Sequence, residues 1–187
     1  KKNFKIELIS ANKNYKKLIK QASYFCVKNL IITDHVSFLK AKKIIKNKNI
    51  NIYNNFKSIE KILNNQKIDY TMSAITGFHG LKPTLDIIKY TKVIAIANKE
   101  SIICGWNLIK RKIKRFNTVF IPVDSEHFSI WSLIDNLDKK NIEKIYITAS
   151  GGPFNKLPFK KFSSITKSQA LKHPNWVMGK KISIDSS

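Results

Sequence analysis

Short β-branched runs alternate with amphipathic stretches over the first 120 or so residues, the pattern of parallel strands joined by crossover helices. The runs predict strands over 4–10, 29–33, 70–75, 93–96 and 118–123. Between them, Leu18, Ile19, Ala22 and Phe25 recur at helical spacing in 15–26, as Phe38, Ala41, Ile44 and Ile45 do in 37–46. A helix over 81–90 carries Pro83 in its first turn, where a missing N–H costs least. Another, over 101–115, is expected to start on a capping Ser101 and to end in basic residues that suit the negative helix terminus. Further on, the pattern predicts a helix over 129–137, a buried strand over 145–149 and a short helix over 166–172 capped by Thr166. The fold class is α/β with a doubly wound layout.

In such a layout ligands sit at the carboxyl ends of the strands. Three loops there are rich in polar side chains or glycine: Ser10-Ala11-Asn12-Lys13-Asn14, Thr76-Gly77-Phe78-His79-Gly80 and Ala97-Asn98-Lys99-Glu100. Each taken singly reads equally well as ordinary turn chemistry. No Gly-x-Gly-x-x-Gly is present. Either the fold binds something other than a dinucleotide, or the strand that carries such a loop lies upstream of Lys1.

Charge changes this picture little. The formal net charge is +23, but arginine occurs only at Arg111 and Arg115 among 35 basic residues, and the lysines are spread from Lys1 to Lys181. Arginine is the side chain suited to bidentate phosphate and base recognition, so a basic nucleic-acid-binding module is the disfavoured alternative. The field of a lysine-rich surface does attract anionic substrates. No run of 18 apolar residues suggests a membrane span. Cys26 and Cys104 lack metal spacing and are expected to be buried thiols of a reducing compartment.

Three segments carry candidate chemistry. Pro122-Val123-Asp124-Ser125-Glu126-His127 ends a hydrophobic strand. In extended backbone, positions two apart face the same way, so Asp124 and Glu126 could converge on a hard cation such as Mg²⁺ or Mn²⁺. Asp124-Ser125 is equally a helix N-cap, and His127 suits a supporting or core role better than direct ligation. Ser150-Gly151-Gly152-Pro153 is either an anion-binding nest of backbone N–H groups or a plain turn. His173-Pro174-Asn175-Trp176-Val177-Met178-Gly179 suits a lid over a ligand, or a loop pinned by a buried Trp.

These pieces occur in one order: Ala-Asn-Lys-Glu-Ser (97–101), Pro-Val-Asp-Ser-Glu-His (122–127), Ala-Ser-Gly-Gly-Pro-Phe (149–154), Leu-Lys-His-Pro-Asn-Trp-x-Met-Gly-Lys-Lys-Ile (171–182) and Ile-Asp-Ser (184–186). The series closely resembles the 1-deoxy-D-xylulose 5-phosphate reductoisomerase family. The resemblance implies a Rossmann-like NADPH-binding domain over 1–123 and the start of a catalytic domain over 124–187. It implies an NADPH- and metal-dependent rearrangement and reduction of a sugar phosphate, with Mg²⁺, Mn²⁺ or Co²⁺ as the metal. Asp124 and Glu126 match metal ligands, Lys99 and Glu126 match catalytic groups, and Lys99, Ser125 and Glu126 match contacts to the sugar chain. Ser150, His173 and Ser186 match the phosphate site, and Trp176 matches the lid indole. Asn12, Lys13, Asn14, Asn98, Glu100 and Gly179 match positions near NADPH. Asn12 stands where many members have Gly, and Ser187 where Ala is usual. By the same resemblance the glycine loop lies upstream of Lys1, and an Asn-Lys pair and a third metal carboxylate lie downstream of Ser187. The visible chain is then expected to be inactive alone, and the full enzyme a homodimer of the bacterial cytoplasm or of a plastid. The alternative enzyme is another NADP-dependent dehydrogenase of a phosphorylated or acidic substrate.

Overall fold

The computed structural model describes residues 4–46, 49–64, 66–147 and 151–187. It divides into two compact units, Lys1–Ser132 and Leu133–Ser187. The first unit runs β1 (Leu8–Ala11), α1 (Tyr15–Phe25), β2 (Asn29–Ile32), α2 (His35–Ile44), β3 (Asn51–Tyr53), α3 (Ile59–Leu63), β4 (Ile68–Ser73), α4 (Leu81–Ile87), β5 (Thr91–Ile96), α5 (Lys99–Phe116) and β6 (Val119–Pro122). α6 (Ser125–Ile134) follows, and the second unit adds α7 (Lys167–Ala170) and α8 (Lys180–Asp185).

All strand pairs are parallel, in two three-stranded sheets ordered β1-β2-β3 and β4-β5-β6. Leu30 lies opposite Ile9 and Ile52, and Ile94 lies opposite Thr71 and Phe120. The central strands β2 and β5 are buried on both faces, which is why they read as continuous apolar runs. Alternation along β2 sends Leu30 and Ile32 into a core with Leu18 and Ala22 of α1 and Ala41 of α2. Ile31 points the other way, into a second core with Ile94 and Ile96 of β5, Leu81 and Ile87 of α4, and Ile109 of α5. Each aliphatic chain so buried contributes roughly 1.5 to 3 kcal/mol.

Several expectations change. The first strand begins at Leu8 rather than residue 4, with Phe4 exposed. Phe25 and Ile44 are the last residues of α1 and α2, and both are exposed. Cys26 is not a core thiol: it is the left-handed cap that ends α1, at φ 55°, and is exposed. Cys104 is exposed as well, because the buried stripe of α5 runs Ser101, Gly105, Ile109 and leaves position 104 off it. Helix α5 starts two residues early, with Asn98 rather than Ser101 as its cap. The expected helix over 129–137 forms instead over Ser125–Ile134. Ile145, Tyr146 and Ile147 form no strand and are exposed, while 148 and 149 lie outside the described residues. A strand needs a neighbour to satisfy its backbone, and the second unit has none among the described residues. Thr166 caps α7 as expected, in a reciprocal capping box with Gln169.

Candidate functional site

The first unit gathers its polar loops at the carboxyl ends of its strands. After β1, the Asn12 amide donates to the Thr33 hydroxyl at 2.8 Å, joining the ends of β1 and β2. Asn14 caps α1 by accepting the Lys17 N–H at 3.3 Å, and Lys13 stands exposed between the two. Helix α1 thus presents its positive end beside Lys13, a combination suited to an anionic group.

After β5 comes Asn98, 2% exposed. Its amide donates to the carbonyls of Ile75 and Gly77, the latter at 2.9 Å, and its carbonyl oxygen accepts the Ser101 N–H. The side chain is thereby spent on tying the loop after β4 to the first turn of α5. Gly77 needs its freedom there, at φ 74°. Lys99 and Glu100 follow on that turn, Lys99 exposed and Glu100 half-buried. Ala97 N–H donates to Ser73 O and Val123 N–H to Ile96 O, so the ends of β4, β5 and β6 lie side by side.

At the end of β6 the backbone turns into α6 at once. Asp124 is its N-cap, accepting the His127 N–H at 2.9 Å and meeting His127 Nδ1 at 2.6 Å. Partial burial works against the Asp124 charge, but the hydrogen bonds and the imidazole of His127 outweigh it and hold the carboxyl below its ordinary range. Glu126 lies in the first turn of α6 and accepts the Ser125 hydroxyl at 3.0 Å. The extended-backbone reason for pairing Asp124 with Glu126 therefore does not hold, because the strand ends at Pro122. What the turn supplies is two hard oxygen donors within three residues, with His127 supporting the first. The described residues contain no group of three His, Cys, Asp or Glu side chains fit to hold a metal. A Mg²⁺ or Mn²⁺ ion suits the chemistry of this pair but would need further oxygen ligands.

In the second unit, His173 Nδ1 accepts the N–H groups of Asn175 and Trp176, both at 3.2 Å. This fixes the ring and leaves the proton on Nε2, which is buried and has no hydrogen-bond partner. Gly151 adopts φ 66°, and Gly152 packs so tightly on the backbone of Ser186 and Ser187 that any β-carbon would collide with it. The Gly-Gly-Pro turn and the end of α8 are therefore in direct contact. The Ser186 hydroxyl donates to Ile182 O at 2.8 Å, a bond it must exchange to donate to an anion. Ser150 lies outside the described residues. Trp176 is 61% exposed, so no core pins it, and Gly179 is the exposed cap residue of α8.

Missed in the sequence are Gly105 and the tight packing at Gly80. Gly80 and Gly105 each lack room for a side chain, Gly80 against Ile75 O and the Asn98 amide, Gly105 against Leu81. An isolated Gly inside the helical pattern of α5 was the available signal.

Parallel strands with crossover helices, polar loops at their carboxyl ends and a carboxylate pair after the last strand define a doubly wound α/β domain, whose ligand sites lie at the strand ends. The comparisons then identify which one. A family profile described as 1-deoxy-D-xylulose 5-phosphate reductoisomerase matches residues 1–105, and one described as the C-terminal domain of that enzyme matches residues 120–187. The chain belongs to the 1-deoxy-D-xylulose 5-phosphate reductoisomerase family. It is 68% identical over 187 residues to the enzyme of that name from Pelagibacter ubique (strain HTCC1062), covering 100% of this chain and 48% of the relative. Among solved structures it is similar to the Zymomonas mobilis enzyme in complex with NADPH, at TM-score 0.84 and 31% identity over 98% of this chain and 47% of that one. It is also similar to a reductoisomerase in complex with NADPH, fosmidomycin and magnesium, at TM-score 0.79 and 26% identity over 98% and 48% of the two chains. The chain spans about half the length of these relatives.

Proposed function

We propose that an intact enzyme carrying this sequence isomerises and reduces 1-deoxy-D-xylulose 5-phosphate to 2-C-methyl-D-erythritol 4-phosphate, using NADPH and Mg²⁺ or Mn²⁺. One observation carries the reading: 68% identity over the full 187 residues to a named reductoisomerase. In this reading residues 1–123 bind NADPH, and 124–187 open the domain that holds metal and substrate. Homodimer assembly and a cytoplasmic location follow from the resemblance alone. Among the described residues no helix is long and apolar enough to cross a membrane.

The side chains divide the work as follows. Lys13, at the positive end of α1, attracts the anionic cofactor while Asn12 and Asn14 keep that loop in shape. Asn98 acts through the loop it fastens, which holds Lys99 and Glu100 on one rigid rim. Lys99 reaches the sugar's oxygens as a cation, and Glu100 faces the cofactor side. Asp124 and Glu126 would hold the metal, which when bound would polarise the ketone and hydroxyl oxygens, and a bound NADPH would supply the hydride. Ser125 touches the sugar chain beside them. His173 Nε2–H has no partner to give up and so donates to the phosphate at little desolvation cost, next to Ser186 and the Gly151-Gly152 turn. Ser150 completes that group. Trp176 covers the carbon chain and excludes water.

The test is NADPH consumption by the intact enzyme on adding 1-deoxy-D-xylulose 5-phosphate with Mg²⁺ or Mn²⁺, abolished by chelation and blocked by fosmidomycin. NADPH-dependent turnover of another acidic substrate without metal would instead establish a plain dehydrogenase.

A further inference from the structure

Helix α5 is not one straight rod. At Gly105 the backbone leaves helical geometry, at φ −130° and ψ 15°. Such an interruption lets the first turns take a direction of their own. Those turns carry Asn98, Lys99 and Glu100 and pack on the core through Ile102, and the later turns do so through Ile109, Ile113 and Phe116.

A tight packing contact sits at the kink. A β-carbon on residue 105 would overlap Leu81 Cδ1 and lie 3.0 Å from Cδ2 and 3.3 Å from Cγ. Leu81 is itself in the core and 8% exposed, so it cannot swing aside without moving a buried neighbour. The residue before it, Gly80, shows the reciprocal constraint: a β-carbon there would lie 2.8 Å from Asn98 Nδ2 and 2.5 Å from Ile75 O. Thr84 Oγ1 holds this corner to β4, donating to Gly80 O at 2.7 Å and meeting Ser73 Oγ at 2.6 Å. The start of α4 and the start of α5 thus interlock twice, Leu81 into the notch of Gly105 and the Asn98 amide into the notch of Gly80.

We propose that Gly105 is a positioning residue: by accepting Leu81 it sets the direction of the first turns of α5 and hence the aim of Lys99 and Glu100. This rests on the roles given to those two residues in the proposed function. In an ordinary exposed helix Gly→Ala is stabilising; here it fills the notch and turns the rim.

The experiment compares Gly105→Ala, Leu81→Ala and the double variant of the intact enzyme, measuring kcat/KM, NADPH affinity and melting temperature. Gly105→Ala is expected to lose about tenfold or more in kcat/KM, in line with the cost of misplacing reacting groups. The double variant regains most of the kcat/KM of Leu81→Ala although, lacking the Leu81 core side chain, it remains less stable than the parent. A role in stability alone predicts the opposite, activity that follows melting temperature downward, and that result overturns the proposal. Failure of both Gly105→Ala and the double variant to fold overturns it too. A second arm needs no turnover. Trp106 adjoins the kink and packs on Phe120 with ring centroids 5.4 Å apart, so its ¹⁹F signal in 5-fluorotryptophan-labelled protein is expected to move in Gly105→Ala and return in the double variant. If the parent enzyme has no reductoisomerase activity, the proposed function fails, while an unmoved Trp106 signal refutes the role of Gly105.

Discussion

Replacing Gly152 by Ala tests the proposed phosphate end of the site with little room for compensation. The added β-carbon would overlap Ser186 O and lie 2.5 Å from Ser187 Cα and 2.7 Å from the Ser186 carbonyl carbon. Carbon contacts relax near 3.5 Å, so the turn and the end of α8 must separate by at least about 1 Å, the overlap with Ser186 O making the largest demand. Both sides are backbone, and no rotamer change relieves the overlap. Overpacking of this kind costs roughly 1 to 3 kcal/mol of stability. The same displacement moves Ser186 relative to the turn, and misplacement by about 1 Å at a reacting or binding group costs on the order of 100-fold in rate. The expected result is a loss of that order in kcat/KM for 1-deoxy-D-xylulose 5-phosphate, dominated by KM, with NADPH affinity unchanged. Gly151→Ala is the control. Its β-carbon has space, the nearest atom being Asn155 Nδ2 at 3.7 Å, so it suffers only the strain of φ 66°, about 1 to 2 kcal/mol. Steady-state kinetics and direct binding of a phosphonate analogue, run on folded protein, decide the matter. Equal phosphonate affinity in Gly152→Ala and the parent would refute the reasoning.

Four further outcomes are expected. Asp124→Asn or Glu126→Gln in the intact enzyme should abolish metal-dependent turnover and weaken Mn²⁺ binding while leaving NADPH affinity nearly intact; unchanged Mn²⁺ affinity, read by paramagnetic titration, contradicts the assignment. His173→Ala should weaken phosphonate binding by about 1.5 to 3 kcal/mol, the worth of a charge-assisted hydrogen bond, as calorimetry can measure. Trp176 emission, isolated by replacing the other tryptophans with Phe, should shift on ligand binding as its exposed indole becomes covered; tight binding with no shift removes the lid. The Asp34 carboxyl is held below its ordinary value of 3.8 by the hydroxyl and N–H of Ser37, which it caps at 2.9 Å. A depressed folded-state value means that this stabilisation is present above 3.8 and is lost as pH falls through the lower folded value, so the melting-temperature gap between parent and Asp34→Asn should close on acidification.

What the sequence shows best is what repeats. The runs at Asn29–Ile32 and Thr91–Ile96 announce central strands because both faces are buried. β3 goes unread because Asn51–Tyr53 is three residues among Asn and Lys, held by pairing with β2 rather than by propensity. The start of α5 is misread for a local reason: Asn98 and Ser101 are both good caps, and Asn98 wins because its amide also satisfies two carbonyls of the loop after β4, a tertiary contact with no trace in local spacing. Cys26 looks like a core position by helical period, yet it is where the helix turns left-handed and ends. At the candidate site the residue types are legible and their surroundings are not. His173 can be singled out from its motif, but its buried, unpartnered Nε2 and the contact of Gly152 with Ser186 belong to three dimensions only.

The carboxylate pair stands in a different backbone from the one expected of it. Asp124 and Glu126 were expected to face one way along a strand; they occupy instead the cap and first turn of α6. That placement has an electrostatic consequence. A helix N-terminus carries roughly half a positive charge, which stabilises the two carboxylates as anions but opposes a dication between them. The local charge offered to the metal is then about −1.5 rather than −2. Two such ligands bind a hard cation weakly and leave most of its coordination positions to other oxygens. A further carboxylate, as the family resemblance implies, would restore the missing negative charge, and a substrate that brings its own oxygens would then bind more tightly with the metal than without it. Metal affinity and substrate affinity should therefore rise together in the intact enzyme, each measured in the presence of the other.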